Sequence, residues 1–269
     1  MSKKIPEMDP PSEYYANPGW DVDSWVEIIG VEYETLISAY PFDDTFRALG
    51  GSIRLLDVGC GTAIFPGYLD PVLSEEVHIR TDLLDQSATS LSSAFRVLAD
   101  LEHFSNGESF RADIENLPEI GESRYDAIWA IHSFTTVDRE RMPETFRRLV
   151  AALRPGGWLF VYQLTAASSY QRVHSWYRES HGGDRYMEYE DSARILASGG
   201  YHYAVYELAF DHVVPDRPEA VTGYLRKVTL DEAVTADQFE PILSEYRSGD
   251  VLRFPQSVNL IAVPQQARP

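Results

Sequence analysis

The densest chemical signal in the chain is one short run, Leu55-Leu56-Asp57-Val58-Gly59-Cys60-Gly61-Thr62-Ala63. Glycines directly after a buried strand let the backbone turn sharply and let a ligand approach it closely. Dinucleotide and triphosphate sites use such turns, but the details here argue against both. No Lys-Ser/Thr pair follows to hold a triphosphate, and Gly67 comes too late to complete GxGxxG. Carboxylates recur downstream at Asp82, Asp85 and Asp113, and a histidine, His132, closes a later apolar run. The other histidines (78, 103, 174, 181, 202 and 212) are scattered, and no HxxxH or carboxylate cluster suggests a metal. The single cysteine, Cys60, excludes an internal disulfide and a cysteine-rich zinc site.

The elements that must carry these residues alternate strictly. Ile53–Val58 reads as a short buried strand, followed by the glycine turn and a helix near 64–73. Val77–Leu84 is a second strand and Ser87–Leu101 a second helix, capped by Asp85 or Ser87. Ser109–Ala112, Tyr125–Ile131 and Trp158–Tyr162 give three more strands, with a helix over Glu140–Leu153 stopped by Pro155-Gly156-Gly157. Strands separated by helices at this spacing predict a mainly parallel sheet covered on both faces. After Thr165 the rhythm changes: 166–187 is aromatic and polar without a strand, a helix spans 189–199, and Tyr201–Val214 is a long β-like run. Residues 215–256 read as an irregular acidic insertion before a last strand, Ser257–Val263, so the two final strands predict an antiparallel edge hairpin. The expected organisation is an N-terminal arm with lid helices over 1–50 and a single α/β domain over 51–269, its cofactor half at 51–164 and its insertions at 165–190 and 215–256.

Net charge is −19, from 42 acids against 23 lysines and arginines. A surface this negative repels phosphate backbones and anionic lipid, so neither nucleic acid nor membrane is expected as a partner. No run reaches the length of a membrane span, and the N-terminal lysines lack the apolar stretch of a secretory signal, so cytoplasm is expected. Residues 1–50 hold ten acids and three bases, which would favour a cationic guest if that segment lies over a pocket. A monomer or small homo-oligomer is expected.

Residues 53–164 resemble, in order, the class I S-adenosylmethionine-dependent methyltransferases, whose first motif is an acid followed by three spaced glycines. Asp57, Gly59 and Gly61 match it, while Ala63 stands at the third glycine. The resemblance implies a Rossmann-like, doubly wound sheet and S-adenosylmethionine as cofactor. It implies that Asp57 orders the loop and the cofactor's amino-acid end. An acid at the end of the second strand would hold the ribose hydroxyls; Asp85, in an Asp-x-Ser like the family's, is preferred, and Asp82 is the alternative. Asp113 would take the adenine amino group, with Ile114 packed on the ring. Ile131 and His132 would stand beside the transferring methyl.

Ligands of such sheets bind beyond the carboxyl ends of the strands. The substrate must therefore meet His132–Val137 and Thr165–Tyr189, with the N-terminal helices and 215–256 as lids. Aromatics there, including Trp20, Trp25, Tyr33, Phe134, Tyr170, Trp176, Tyr177 and Tyr186, either cage a cation or pack a lid. A second resemblance, to the histamine N-methyltransferase group, rests on Ser168-Ser169-Tyr170, Tyr189–Leu196, Tyr201–Leu208 and Gly249–Phe254. It implies substrate contacts from Glu32, from His132 where that group has glutamine, and from Gln256 where it has asparagine. Tyr170 and Trp176 complete the expected substrate side. The implied reaction is methyl transfer to a nitrogen of a small amine or imidazole compound, with His132 accepting a proton or, alternatively, only capping a strand. O- or C-methylation, and cofactor binding without methyl transfer, are the competing functions.

Overall fold

The computed structural model describes residues 22–118 and 120–265, with side chains from residue 28 onward. The arm at 1–19, Trp20 and the Trp25 side chain lie outside the described residues. The chain opens with α1 (Val22–Ala39) and α2 (Phe42–Ala48). Ile29, Tyr33, Leu36 and Tyr40 are buried at alternating four- and three-residue steps, which makes one stripe of α1 face the sheet. Glu32 lies beside that stripe and is 3% exposed, so a carboxylate enters the interior.

The core elements are β1 (Ser52–Val58), α3 (Ile64–Leu69), β2 (His78–Asp85), α4 (Ala88–Ala99), β3 (Phe104–Arg111), β4 (Tyr125–Ile131), α5 (Met142–Ala152) and β5 (Leu153–Leu164). They are followed by α6 (Ser169–His181), α7 (Tyr189–Ser198), β6 (Ala204–Pro215), α8 (Pro218–Thr229), α9 (Glu240–Leu243), β7 (Arg247–Ser248) and β8 (Val251–Pro264). The sheet order is β3-β2-β1-β4-β5-β8-β6, with β7 paired to β8. Strands β1 to β5 pair in parallel, and β8 runs antiparallel to both β5 and β6. This is the expected mainly parallel α/β sheet with an antiparallel edge. Side chains alternate between two cores: Leu55, Trp129 and Phe160 pack under α1–α4, and Leu56, Ile128 and Leu159 pack under α5 and α7.

Three segments depart from expectation. Strand β3 begins at Phe104, five residues earlier than its apolar content suggests, because Asn106-Gly107-Glu108 reads as a turn. A Cβ on Gly107 would stand 2.0 Å from Asp82 Oδ1, and the Glu108 N–H donates to that oxygen at 2.8 Å, so the glycine is there to admit a buried carboxylate. The stretch 166–187 contains a helix, α6. The supposedly irregular 215–256 contains α8, whose Val221, Tyr224, Leu225 and Val228 are buried, and the first residues of β8. Strands β6 and β8 pair from Ala204↔Ala262 to Pro215↔Val251, whereas β5 meets β8 only from Val258 onward. The hairpin thus overhangs the sheet, and α6, α8 and α9 pack on the overhang in a third core around Phe239 and Phe254. Among the described residues no helix is long and apolar enough to cross a membrane.

Candidate active site

The order of strands reverses between β1 and β4, and the loops that leave the sheet there wall a cavity of about 600 Å3. That size falls within the roughly 300–1,000 Å3 of small-molecule sites. One wall is the glycine loop. Its Gly59 and Cys60 N–H groups donate to Leu84 O at 2.7 and 3.1 Å, and the Gly61 N–H donates to Asp85 Oδ2 at 3.0 Å. Asp85 Oδ1 accepts from the Ser87 N–H at 2.8 Å, and Ser87 in turn caps α4. The loop is therefore pinned to the end of β2 by its own backbone. Gly59 has φ +68° and a Cβ there would stand 2.4 Å from Ser133 Cβ; Gly61 has φ +51° but nothing within 4 Å of the Cβ position. Ala63 takes the left-handed conformation, φ 59°, that the missing third glycine would adopt without cost.

Asp57, Asp85, Asp113, Ile114 and Ile131 all line this cavity with Gly59 and Gly61. Burial pushes the Asp57 carboxyl up to about 7, with the charge of nearby Asp85 adding to the rise. Burial also raises Asp85, against the two N–H groups it accepts from. Burial pushes the Cys60 thiol far up as well, so it offers no thiolate to the cavity. Asp82, the alternative acid, does not line the cavity. It accepts from Arg54, Arg124 and the Tyr125 hydroxyl at 3.0–3.1 Å and serves the sheet.

The same cavity is lined by Glu32, Tyr33, His132, Tyr170, Tyr186 and His212. His132 ends β4 with φ 57°, a strained conformation for a residue other than glycine and one found at functional sites. Its Nε2 meets Glu32 Oε2, and His212 Nε2 meets Glu32 Oε1. Both oxygens of the carboxylate are thus engaged by imidazoles. Burial alone would raise Glu32, but the two histidines outweigh it and hold the carboxyl at about 2.

Two expected substrate contacts stand elsewhere. Trp176 packs on Phe239, ring centroids 5.3 Å apart, in the third core, where its size serves packing and it does not line the cavity. Gln256 lies 2% exposed behind the cavity wall, because β8 is covered there by α6 and α8. Its Oε1 accepts from Ser168 Oγ and from the Tyr170 N–H at 3.3 Å, and its Nε2 donates to Phe254 O at 3.0 Å and Tyr224 Oη at 3.3 Å. In the sequence His212 is one of several scattered histidines. It is 180 residues from Glu32 in the chain, so no spacing could pair them. The available signal was local: Leu208, His212 and Val214 are buried on one alternating face of β6, a histidine in an apolar register.

The residues around the cavity fit S-adenosylmethionine. The open space beside Gly61 lets a ligand lie on the loop, and the acids suit a guest that carries cationic groups and hydroxyls. Among the described residues, no group of three His, Cys, Asp or Glu side chains is arranged to hold a metal.

Residues 55–157 match the family model of a methyltransferase domain. No curated protein matches the chain. Solved structures share its fold at low identity. A candidate methyltransferase from Bacillus halodurans is 13% identical with a TM-score of 0.57, over 83% of this chain and 98% of that one. The cyclase SpnF is 16% identical with a TM-score of 0.53, over 96% and 92% of the two chains. A Thermotoga maritima S-adenosylmethionine-dependent methyltransferase, described as a possible histamine N-methyltransferase, is 12% identical with a TM-score of 0.51, over 94% and 99%. The domain match spans the strands and loops that wall the glycine-loop side of the cavity, so the chain carries a methyltransferase domain built on a Rossmann-like sheet.

Proposed function

We propose that this enzyme methylates a nitrogen of a small amine or imidazole compound, with His132 accepting the proton that the nitrogen gives up. The observation that carries this reading is the Glu32 carboxylate held between two imidazoles in the wall of the same cavity that the glycine loop lines. S-adenosylmethionine, when bound, supplies a sulfonium methyl that passes in line to a nucleophile. In our reading Asp57 meets the cofactor's amino-acid end, Asp85 its ribose, and Asp113 with Ile114 its adenine. Ile131 and His132 then flank the reacting centre, and Tyr170 and Tyr186 border the guest. Glu32 fixes the imidazole so that Nε2–H points at the carboxylate and Nδ1 remains to take a proton, as the buried acid does in a Ser-His-Asp triad. A neutral nitrogen nucleophile results, and an aligned transfer needs little more than proximity.

Glu32 thus acts on the substrate through His132 and not as a bare counter-ion, so Glu32→Gln lowers kcat more than it raises KM. The experiment is transfer of labelled methyl to a panel of amines, imidazoles, phenols, carboxylic acids and phosphate esters. Preference for amines or imidazoles supports the proposal. Preference for a carboxylic acid or phosphate ester overturns it, as does a phenol taken to the exclusion of nitrogen compounds. No transfer to any class, with tight cofactor binding, would favour a non-transfer role of the kind suggested by SpnF, a cyclase on the same fold.

A further inference from the structure

A chain of buried hydrogen bonds runs from the start of α6 to the cavity, and its direction can be read from the chemistry of each member. A backbone N–H only donates, so the Gln256 atom that meets the Tyr170 N–H is the amide oxygen. A carbonyl only accepts, so the Gln256 atom that meets Phe254 O is the amide nitrogen. Both ends of the amide agree, and its nitrogen therefore donates to Tyr224 Oη at 3.3 Å. Tyr224 Oη lies 3.2 Å from His212 Nδ1. Burial pushes the Tyr224 hydroxyl well above the ordinary phenol range, so it keeps its hydrogen. With an oxygen lone pair taken by the amide, that hydrogen is placed to donate to Nδ1. His212 Nε2 must then carry the imidazole's hydrogen, and it faces Glu32 Oε1, which as a carboxylate only accepts. The two ends of the chain require the same tautomer.

We propose that His212 is a positioning residue, held as its Nε2–H tautomer by Tyr224 and Gln256, that fixes the Glu32 carboxylate so that its second oxygen aligns His132. The asymmetry between the two imidazoles supports separate roles. Both rings line the cavity, but the His212 side chain is 2% exposed and that of His132 is 24% exposed, so His132 presents the larger surface to a substrate. His212 comes from the overhang of the β6–β8 hairpin and Glu32 from α1. The alignment of the residue that follows β4 is therefore set by two elements outside the parallel sheet. The catalytic half of this inference rests on the reading of His132 as the proton acceptor; the tautomer does not.

The test has two arms. In full-length protein labelled with 15N-histidine, at pH 8 without substrate, the His212 ring should show a protonated Nε2 and a bare Nδ1. The signal is assigned by its loss in His212→Gln. Tyr224→Phe should abolish the single-tautomer pattern. A protonated Nδ1 in the wild type overturns the proposal, whatever the substrate proves to be. In the kinetic arm, Gln presents its amide N–H near the Nε2 position, whereas Asn presents one near Nδ1. His212→Gln should recover most of the kcat lost in His212→Leu, a loss of about tenfold or more out of the roughly 100- to 10,000-fold that a positioned base supplies. His212→Asn should stay as slow as the leucine variant. Asn rescuing as well as Gln overturns the positioning role. A correct tautomer with a substrate that needs no base leaves the tautomer assignment standing and removes the proposed function instead.

Discussion

Gly59 and Gly61 both have positive φ, yet they resist substitution for different reasons. A Cβ on Gly59 collides with Ser133 Cβ, so the loop or the segment after β4 must shift. A Cβ on Gly61 meets no protein atom and would project into open space beside the loop. Gly59→Ala should therefore destabilise the free protein by about 1–3 kcal/mol, as overpacking does. Gly61→Ala should cost about 1–2 kcal/mol for the left-handed backbone. The loss of cofactor affinity should persist in Gly61→Ala after correction for stability. Thermal denaturation with calorimetric titration of both variants checks this, and equal affinity in Gly61→Ala and wild type would show that the cofactor does not approach the loop there. The sequence made the glycine loop legible because strand, acid and glycines are contiguous, so local chemistry sufficed. It also placed Asp85, Asp113, Ile131 and His132 near one another through topology alone, since all leave strands at the same edge. Glu32, His212 and Tyr186 are joined only by the packing of α1, β6 and the α6–α7 connection, which no local spacing reports.

At the scale of elements, strands buried on both faces, such as β1 and β4, were readable from dense apolar content, Leu55-Leu56 in one and Ala127–Ile131 in the other. Strand β3 was only partly readable because it is an edge whose residues are mostly polar. Helix α6 does not stand out in the sequence because it is rich in polar and aromatic residues, and its buried positions Val173, His174 and Tyr177 become a stripe only against α8. The capping core built from α6, α8 and α9 centres on Phe239, which is fully buried and stacks on Tyr177 at 5.6 Å. That core also holds two cavity-lining tyrosines in place: the Tyr170 hydroxyl donates to Lys227 O at 2.7 Å and the Tyr186 hydroxyl to Val228 O at 3.0 Å, both in α8. Phe239→Ala should cost about 3–5 kcal/mol. It should raise KM for the methyl acceptor while leaving cofactor affinity nearly unchanged, because the cofactor loops leave β1, β2 and β3. Equal weakening of both would mean that the cap and the sheet do not open separately.

For the whole molecule, the charge balance and one buried acid act together. The chain carries −19, so every further buried negative charge is added against a repulsive field. Asp57 has a carboxyl raised to about 7 by burial, with Asp85 adding to the rise, against an ordinary value of 3.8 in the unfolded chain. Between those two values the folded protein holds a proton that the unfolded chain has released, so stability falls as pH rises through the window and levels off above about 7. From pH 6 to pH 8 the Asp57 contribution should fall by about 1.4 kcal/mol, the equivalent of one pKa unit. His174 acts in the opposite sense, since burial lowers it and it must shed or avoid a proton on folding. The measurement must therefore compare wild type with Asp57→Asn, in which the His174 contribution cancels. Without cofactor, Asp57→Asn should gain stability on the wild type as pH rises from 6 to 8, by about 1.4 kcal/mol in denaturant unfolding. With cofactor the relation should invert. A ligand bearing an ammonium and a sulfonium favours the ionised carboxylate, so wild-type binding should release protons near pH 7 and tighten with rising pH. The asparagine variant should do neither. Calorimetry in buffers of different ionisation enthalpy reads the proton release directly. A wild-type enthalpy that is the same in every buffer at pH 7 would show that Asp57 does not ionise on cofactor binding, and would move the amino-acid end of the cofactor away from it.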